Sequence, residues 1–314
     1  GTDLDFLEFL LTSLPYELTP QARVLILEPG AGLDVLVAAR GGASEIVAVD
    51  SNPLIIDIAR DRYGEYAGNL YSRDGVTVVA EDGRSYLRSS REEFDLIQVS
   101  LSDSFRPVGS GAYSLSESYL YTTEAFVEYL AHLKPGGMLV VHRWLQTPPS
   151  ESVRALGLAL AALERTGVED PAGHVVALRG LYTALLLVGK QEFTSEQLDI
   201  VKSFSQDKRF DLIRYPGISP HEANLYSVLD DPVYYEAYSA VLDAEDRTSF
   251  YAGYPFDITP PLDDRPFFFH FFRWSQTPEI LQTWGKTWQP FGGSGYLVLL
   301  VLLALALLAS VTMI

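Results

Sequence analysis

A mostly parallel α/β sheet of seven strands is predicted by three observations. The run Val24-Leu-Ile-Leu-Glu-Pro-Gly-Ala-Gly32 is an apolar strand halted by a tight glycine turn, and Val47-Ala-Val-Asp50 is a second strand ending in an acid. The pattern recurs at Gly75–Gly83 and Phe94–Ser100 with helical stretches between, the signature of successive βαβ units. The apolar runs His174–Leu178 and Tyr182–Val188, separated by Arg179-Gly-Leu, finish the sheet as an antiparallel hairpin.

Each element has a local reason. Residues 3 to 14 place Leu4, Leu7, Leu11 and Leu14 on one helical face, a cover for the sheet edge. The first strand stops at Gly30 and Gly32, where the absence of Cβ lets the backbone turn and approach a ligand. The third strand leads to Asp82-Gly83, and the fourth runs through Phe94-Asp-Leu-Ile-Gln-Val-Ser100. Pro135-Gly136-Gly137 ends a helix and opens the fifth strand toward His142. Thr147-Pro-Pro-Ser150 breaks the chain before a helix from Glu151 to Arg165, with Val153, Leu156, Leu160 and Leu163 at helical spacing. Thr194-Ser-Glu-Gln197 is a capping-box start for a helix reaching Phe204.

A glycine turn and an acid at the tips of adjacent parallel strands form a nucleotide pocket, with Asp50 placed to hold a ribose diol. The dinucleotide fingerprint is disfavoured, because Val35 stands where a small residue is needed and Glu28 would oppose a pyrophosphate. The same Glu28 suits a cation. S-adenosylmethionine, with its ammonium and sulfonium charges, is therefore the expected ligand, with Asp82 accepting from the adenine amino group.

With Asp50-Ser51-Asn-Pro53, Asp82-Gly83, the strand at Asp95 and Leu120-Tyr-Thr-Thr-Glu-Ala-Phe126, the chain resembles the spermidine synthase group within the Rossmann-like class I methyltransferase fold, over about residues 3 to 145. The resemblance implies a binding site for S-adenosylmethionine or its decarboxylated form at Glu28, Gly30, Gly32, Asp50, Ser51, Asp82, Gly83 and Ser100. It also marks departures. The family's Asp-Ser-Thr/Ser-Asp-Pro element, whose first Asp is the base, aligns with Ser100-Leu-Ser-Asp103-Ser104, so Ser100 occupies the base position and only the second acid remains. A turn acid of the family aligns with Ala31, for which Glu28 and Asp34 are nearby substitutes, and the Tyr-His pair before the first strand is missing.

Composition narrows the partners. A net charge of -18 disfavours a nucleic-acid backbone and accommodates a cationic amine, though it fits an ordinary acidic surface as well. With no cysteine, thiol catalysis and cysteine–zinc sites are excluded, and the five histidines lack local ligand spacing, so no metal is expected.

Three regions are expected: a transferase domain over 1–215, an α-rich aromatic and acidic appendage over 216–290, and a transmembrane helix over 296–314. From Tyr296 to Ile314 every residue is apolar or small and uncharged, and at about 1.5 Å per residue this run spans roughly 28 Å, near the thickness of a bilayer core. Trp284, Trp288 and Tyr296 suit its headgroup boundary. The run reads as the anchor of a fragment of a larger membrane protein in contact with the lipid bilayer, and Lys286 and Arg273 before it place the globular part in the cytoplasm. Within the appendage, Pro260-Pro-Leu-Asp-Asp-Arg-Pro-Phe-Phe-Phe269 resembles an element that precedes membrane helices in bacterial spermidine synthase-like proteins. Asp263, Asp264 and Arg265 read as an ion pair docking the appendage rather than as substrate ligands.

The segment from Ser102 to Glu124 follows the fourth strand and is expected to cover the reactive end of the ligand. Asp103, Glu117 and Tyr121 are the catalytic candidates, with Arg106, Tyr113 and Arg143 as further polar groups. The expected function is a membrane-anchored transferase acting on a small-molecule acceptor such as an amine or polyamine. Methyl transfer stands ahead of aminopropyl transfer because a serine is no proton acceptor at neutral pH. The alternatives are an aminopropyltransferase whose base is displaced to Asp103 or Glu117, and a ligand-sensing domain without turnover.

Overall fold

The computed structural model describes residues 4–102, 116–278 and 294–313. One eight-stranded sheet has the order β3-β2-β1-β4-β5-β7-β6-β8. Its strands are β1 Arg23–Leu27, β2 Glu45–Asp50, β3 Val76–Ala80, β4 Phe94–Val99, β5 Leu133–Trp144, β6 Val175–Arg179, β7 Thr183–Gly189 and β8 Asp211–Arg214. The first five pair in parallel, and β7 joins β5 antiparallel. The chain therefore winds outward from β1 in one direction and from β4 in the other, leaving a crevice at the carboxyl ends of these two neighbours.

The sheet has one strand more than the seven expected. The addition, β8, pairs antiparallel with β6. Its four residues are bounded by charges, which conceals it in the sequence. Asp211 is fully buried there because it accepts from the amides of Tyr226 and Ser227, both at 2.8 Å, and pairs with Arg179 at 3.1 Å.

Helices α1 Leu14–Leu18, α2 Leu33–Arg40 and α7 Ser195–Lys208 cover one face, where Leu14, Val35 and Val201 pack on Val24, Ile26 and Leu96. On the other face lie α4 Gly83–Ser89, α5 Thr123–Ala131 and α6 Glu151–Arg165, with α8 Val233–Leu242 and α9 Arg247–Gly253 packed beyond them. The remaining short helix, α3 Pro53–Asp57, starts at an Asn52 cap that accepts from Leu54 N. The expected capping box of α7 is present at Thr194 and Gln197.

Two local expectations are corrected. Residues 3–14 do not form one helix: the 3-10 turns Asp5–Phe9 and Leu11–Ser13 precede α1, although Leu7, Leu11 and Leu14 are buried as their spacing required. Pro135-Gly-Gly does not end a helix. Helix α5 stops at Ala131 and β5 starts at Leu133, with the Pro-Gly-Gly segment forming an irregularity in the β4–β5 register where Gly136 takes φ 77°.

The transmembrane helix is overturned, and with it the expected membrane anchoring and the placement that followed. A helix forms, α10 Ser294–Met313, but no helix among the described residues is long and apolar enough to cross a membrane.

Candidate functional site

The crevice is built from the first strand outward. Glu28 follows β1 in the left-handed region at φ 53°, an uncommon conformation for a non-glycine residue, and its amide donates to Val49 O at 2.8 Å. This fixes its carboxylate beside the tip of β2, where it accepts from Ser51 N at 3.2 Å. The chain then turns through Gly30 and Gly32, also at positive φ, before α2 starts. Gly32 is needed for space as well as conformation: a Cβ there would lie 3.0 Å from Leu70 and 3.1 Å from Tyr71. The Tyr71 hydroxyl donates to Gly30 O at 2.7 Å and supports the turn from below. The sequence offered no sign of this role, since Tyr71 lies in an irregular segment remote from the turn.

Asp50 is 2% exposed and spends its carboxylate on local backbone, accepting from Gly30 N at 3.1 Å and Asn52 N at 2.9 Å. It ties the glycine turn to the start of α3. Asp82 is exposed and caps α4, accepting from the amide and hydroxyl of Ser85, both at 2.9 Å. Gly83 sits tightly beneath, because a Cβ would lie 3.0 Å from Leu27 and 3.4 Å from Leu120. The carboxylates come together at one end of the sheet: burial pushes the Glu28 carboxyl above its usual range, and the charges of Asp50 and Asp82 push the same way against the bonds from Ser51. A group of three acids at a strand-tip crevice favours a cation.

Ser100 is buried next to this group, its amide donating to Leu27 O at 3.1 Å. Asp103, Arg106 and Tyr113 lie outside the described residues. Glu117 is exposed and accepts from the Tyr119 hydroxyl at 3.1 Å. Tyr121 is not open to a substrate in this structure. It is buried, its ring stacks on Phe268 with centroids 4.5 Å apart, and its hydroxyl accepts from Arg143 at 2.7 Å. Arg143 in turn pairs with the fully buried Glu151 at 2.5 Å and lies over the rings of Tyr121 and Phe269. Among the described residues, no group of three His, Asp or Glu side chains is placed to hold a metal ion.

The appendage docks beside the crevice through charges. Asp263 receives Arg84 at 2.6 and 3.0 Å and Thr122 at 2.6 Å, while Arg84 also holds Glu128 at 2.7 and 3.0 Å. Burial works to lower the Arg84 pKa, but the hydrogen bonds it donates to Glu128 and Asp263 outweigh it and the group is raised. Arg154 secures the other side. Although 4% exposed, it donates to the carbonyls of Thr259, Phe267, Phe268 and His270 at 2.7 to 3.1 Å. The sequence did not mark Arg84 or Arg154, because nothing local distinguishes a buried arginine from an exposed one.

Residues 8–153 match the family model for the spermine/spermidine synthase domain, in agreement with the resemblance read from the motifs. Among curated proteins, a polyamine aminopropyltransferase of Sulfurisphaera tokodaii is 23% identical over 61% of this chain and 62% of its own length. Another, of Mycobacterium tuberculosis, is 32% identical over 38% of this chain and 22% of its own length. The chain thus spans less than two thirds of these relatives. Among solved structures, spermidine synthase from Thermotoga maritima aligns with a TM-score of 0.45 and 17% identity, over 60% of this chain and 62% of that one.

Proposed function

We propose, proceeding from a chain that carries a spermine/spermidine synthase domain over residues 8–153, that this protein transfers an aminopropyl group from decarboxylated S-adenosylmethionine to an amine. The observation that supports this reading is Glu28 at the start of the glycine turn, bonded to Ser51 N at the tip of β2 and raised by the charges of Asp50 and Asp82. Such a crevice lowers the free energy of a bound ligand that bears an ammonium and a sulfonium. The curated relatives are named polyamine aminopropyltransferases, which reverses the order expected from the sequence and puts aminopropyl ahead of methyl transfer.

In this reading Glu28 faces the cationic end of the ligand and Asp82 its adenine amino group. Asp50 holds Gly30 and Asn52 in place and borders the ribose. Gly30, Gly32 and Gly83 allow close approach of the backbone, and Ser51 and Ser100 flank the ligand. Orientation of an amine against the sulfonium supplies much of the rate. Calorimetry with S-adenosylmethionine, its decarboxylated form and methylthioadenosine tests the pocket, and release of methylthioadenosine across an amine panel tests the reaction. Failure of all three compounds to bind, or a methylated product from S-adenosylmethionine, would refute the proposal. The serine at the base position favours a second reading, a ligand-sensing domain, which would be supported by binding without product.

A further inference from the structure

A cavity of about 470 Å³ opens between α6 and the appendage segment 257–270, and none of the residues of the glycine turn or the strand-end acids lines it. Its size lies within the range of about 300–1,000 Å³ usual for small-molecule sites. Its wall is fixed in place. Pro260, Pro261 and Pro266 restrict the backbone, Pro261 O accepts from Thr123 N at 2.9 Å, Pro266 O accepts from Ser118 N at 2.6 Å, and Arg265 N closes a tight turn by donating to Leu262 O at 2.9 Å. This turn separates two neighbouring acids. Asp263 goes to Arg84 and Thr122, whereas Asp264 lines the cavity. Asp264 and Arg265, expected to dock the appendage together with Asp263, are exposed, and neither side chain closes a hydrogen bond or an ion pair among the described residues. Arg154 brings a second guanidinium from α6. Its Nε and Nη1 are spent on backbone carbonyls, which leaves Nη2, 3.7 Å from Asp257, for the cavity that the residue lines. Burial lowers its pKa to about 10, so it is a cation at neutral pH. A buried guanidinium whose carboxylate stands beyond hydrogen-bond distance costs stability that an anion at Nη2 would offset.

We propose that this cavity is a second ligand site, separate from the crevice, and that it binds an α-amino acid with an apolar side chain. The ligand's carboxylate meets Arg154 and Arg265, its ammonium meets Asp257 and Asp264, and its side chain lies against Leu262 and Phe267. Charge selects this class. A polyamine would bring a second ammonium toward two guanidiniums, and a phosphate would bring a second negative charge toward two carboxylates. A molecule with one charge of each sign meets an opposite charge at both ends. Arg265, whose guanidinium is unspent among the described residues, suits an α-carboxylate because two parallel N–H···O bonds can form. Arg154 is already held by four carbonyls, so little side-chain freedom is lost when it binds. Asp257 is held likewise, accepting from Thr259 N at 3.1 Å.

Calorimetry on the full chain with L-leucine, 3-methylbutylamine and 4-methylpentanoate tests the class, since the last two each lack one of the charged groups. The wild type should bind L-leucine, and bind either of the others at least about tenfold more weakly. Asp264→Asn and Arg265→Gln, both at exposed positions, should each weaken L-leucine by about tenfold while the melting temperature without ligand stays unchanged. Glu28→Gln, in the crevice, should leave L-leucine binding as it is. In proton–nitrogen correlation spectra the shifts caused by L-leucine should fall on Arg154 and on residues 257–270. Arg154→Met should abolish binding; if it does not fold, Asp264→Asn and Arg265→Gln carry the test. No binding of L-leucine at millimolar concentration, equal binding of the amine or the acid alone, or an affinity that survives both Asp264→Asn and Arg265→Gln would overturn the proposal. So would loss of L-leucine binding in Glu28→Gln, which would put the amino acid in the crevice.

Discussion

Replacing Asp263 by Ala should loosen the appendage and the edge of the crevice together. The carboxylate accepts from Arg84 at 2.6 and 3.0 Å and from Thr122 Oγ1 at 2.6 Å, and Arg84 is only 5% exposed. Hydrogen bonds to charged groups contribute about 1.5–3 kcal/mol each. The sum is not reached here, because the Asp263 side chain is 35% exposed and Glu128 remains on Arg84. A net loss of about 2–3 kcal/mol follows after discounting for solvent. Arg84 also donates to Tyr119 O at 3.2 Å, and Thr122 caps α5 by accepting from Ala125 N at 3.1 Å, so residues 119–122 should become more mobile with them. Urea denaturation with an unchanged m value reads the loss, and hydrogen exchange at residues 119–125 reads its location. The Arg84 hydrogen bond holds the Asp263 carboxyl below its ordinary range. At Glu128 burial pushes upward, but Arg84 and Arg88 more than reverse it. For carboxylates depressed in the folded state, the stabilisation is complete above the unfolded pKa of about 4 and declines as pH falls through the folded value. The variant should therefore lose less stability than the wild type on acidification. A loss below about 0.5 kcal/mol at neutral pH, the range of ordinary surface substitutions, would refute this account of docking.

Glu28→Gln should weaken decarboxylated S-adenosylmethionine by about tenfold or more, equivalent to roughly 1.4 kcal/mol. Because the Glu28 carboxyl is raised by burial and by Asp50 and Asp82, wild-type affinity should begin to fall at a higher pH than an ordinary carboxylate would give. Parallel pH dependences for wild type and variant in calorimetry would refute this. Gly32→Ala should cost about 2–4 kcal/mol, combining left-handed strain with overpacking on Leu70 and Tyr71. Gly30→Ala, where no atom lies within 4 Å of the added Cβ, should cost about 1–2 kcal/mol from conformation alone, and thermal melts that rank the two the other way would contradict the turn geometry. Glu151→Ala should cost about 3 kcal/mol or more by removing the carboxylate from Arg143, whose side chain is 2% exposed. A variant as stable as the wild type in urea would exclude that.

The sequence by itself determined the βαβ order, the glycine turn, the strand-end acids and the antiparallel finish, because these rest on local causes: alternation, glycine conformation and capping. It also pointed to Asp263 as part of an ion pair docking the appendage, although not to its partner Arg84. Tertiary structure decided what depends on distant neighbours. Whether Asp82 serves mainly as a cap, whether Asp50 turns its oxygens to Gly30 and Asn52, and that Tyr121 lies under Phe268 are settled by packing across long sequence separations. The two short strand and helix errors have the same origin. Asp211 is a strand residue because amides near residue 226 neutralise its burial, and residues 3–14 break into 3-10 turns while still burying the leucines their spacing aligned. Asp263 and Asp264 make the point most clearly. Two adjacent acids between prolines look equivalent along the chain, and only the fold sends one to Arg84 and the other to the wall of a cavity, since the turn from Leu262 to Arg265 sets them against different elements.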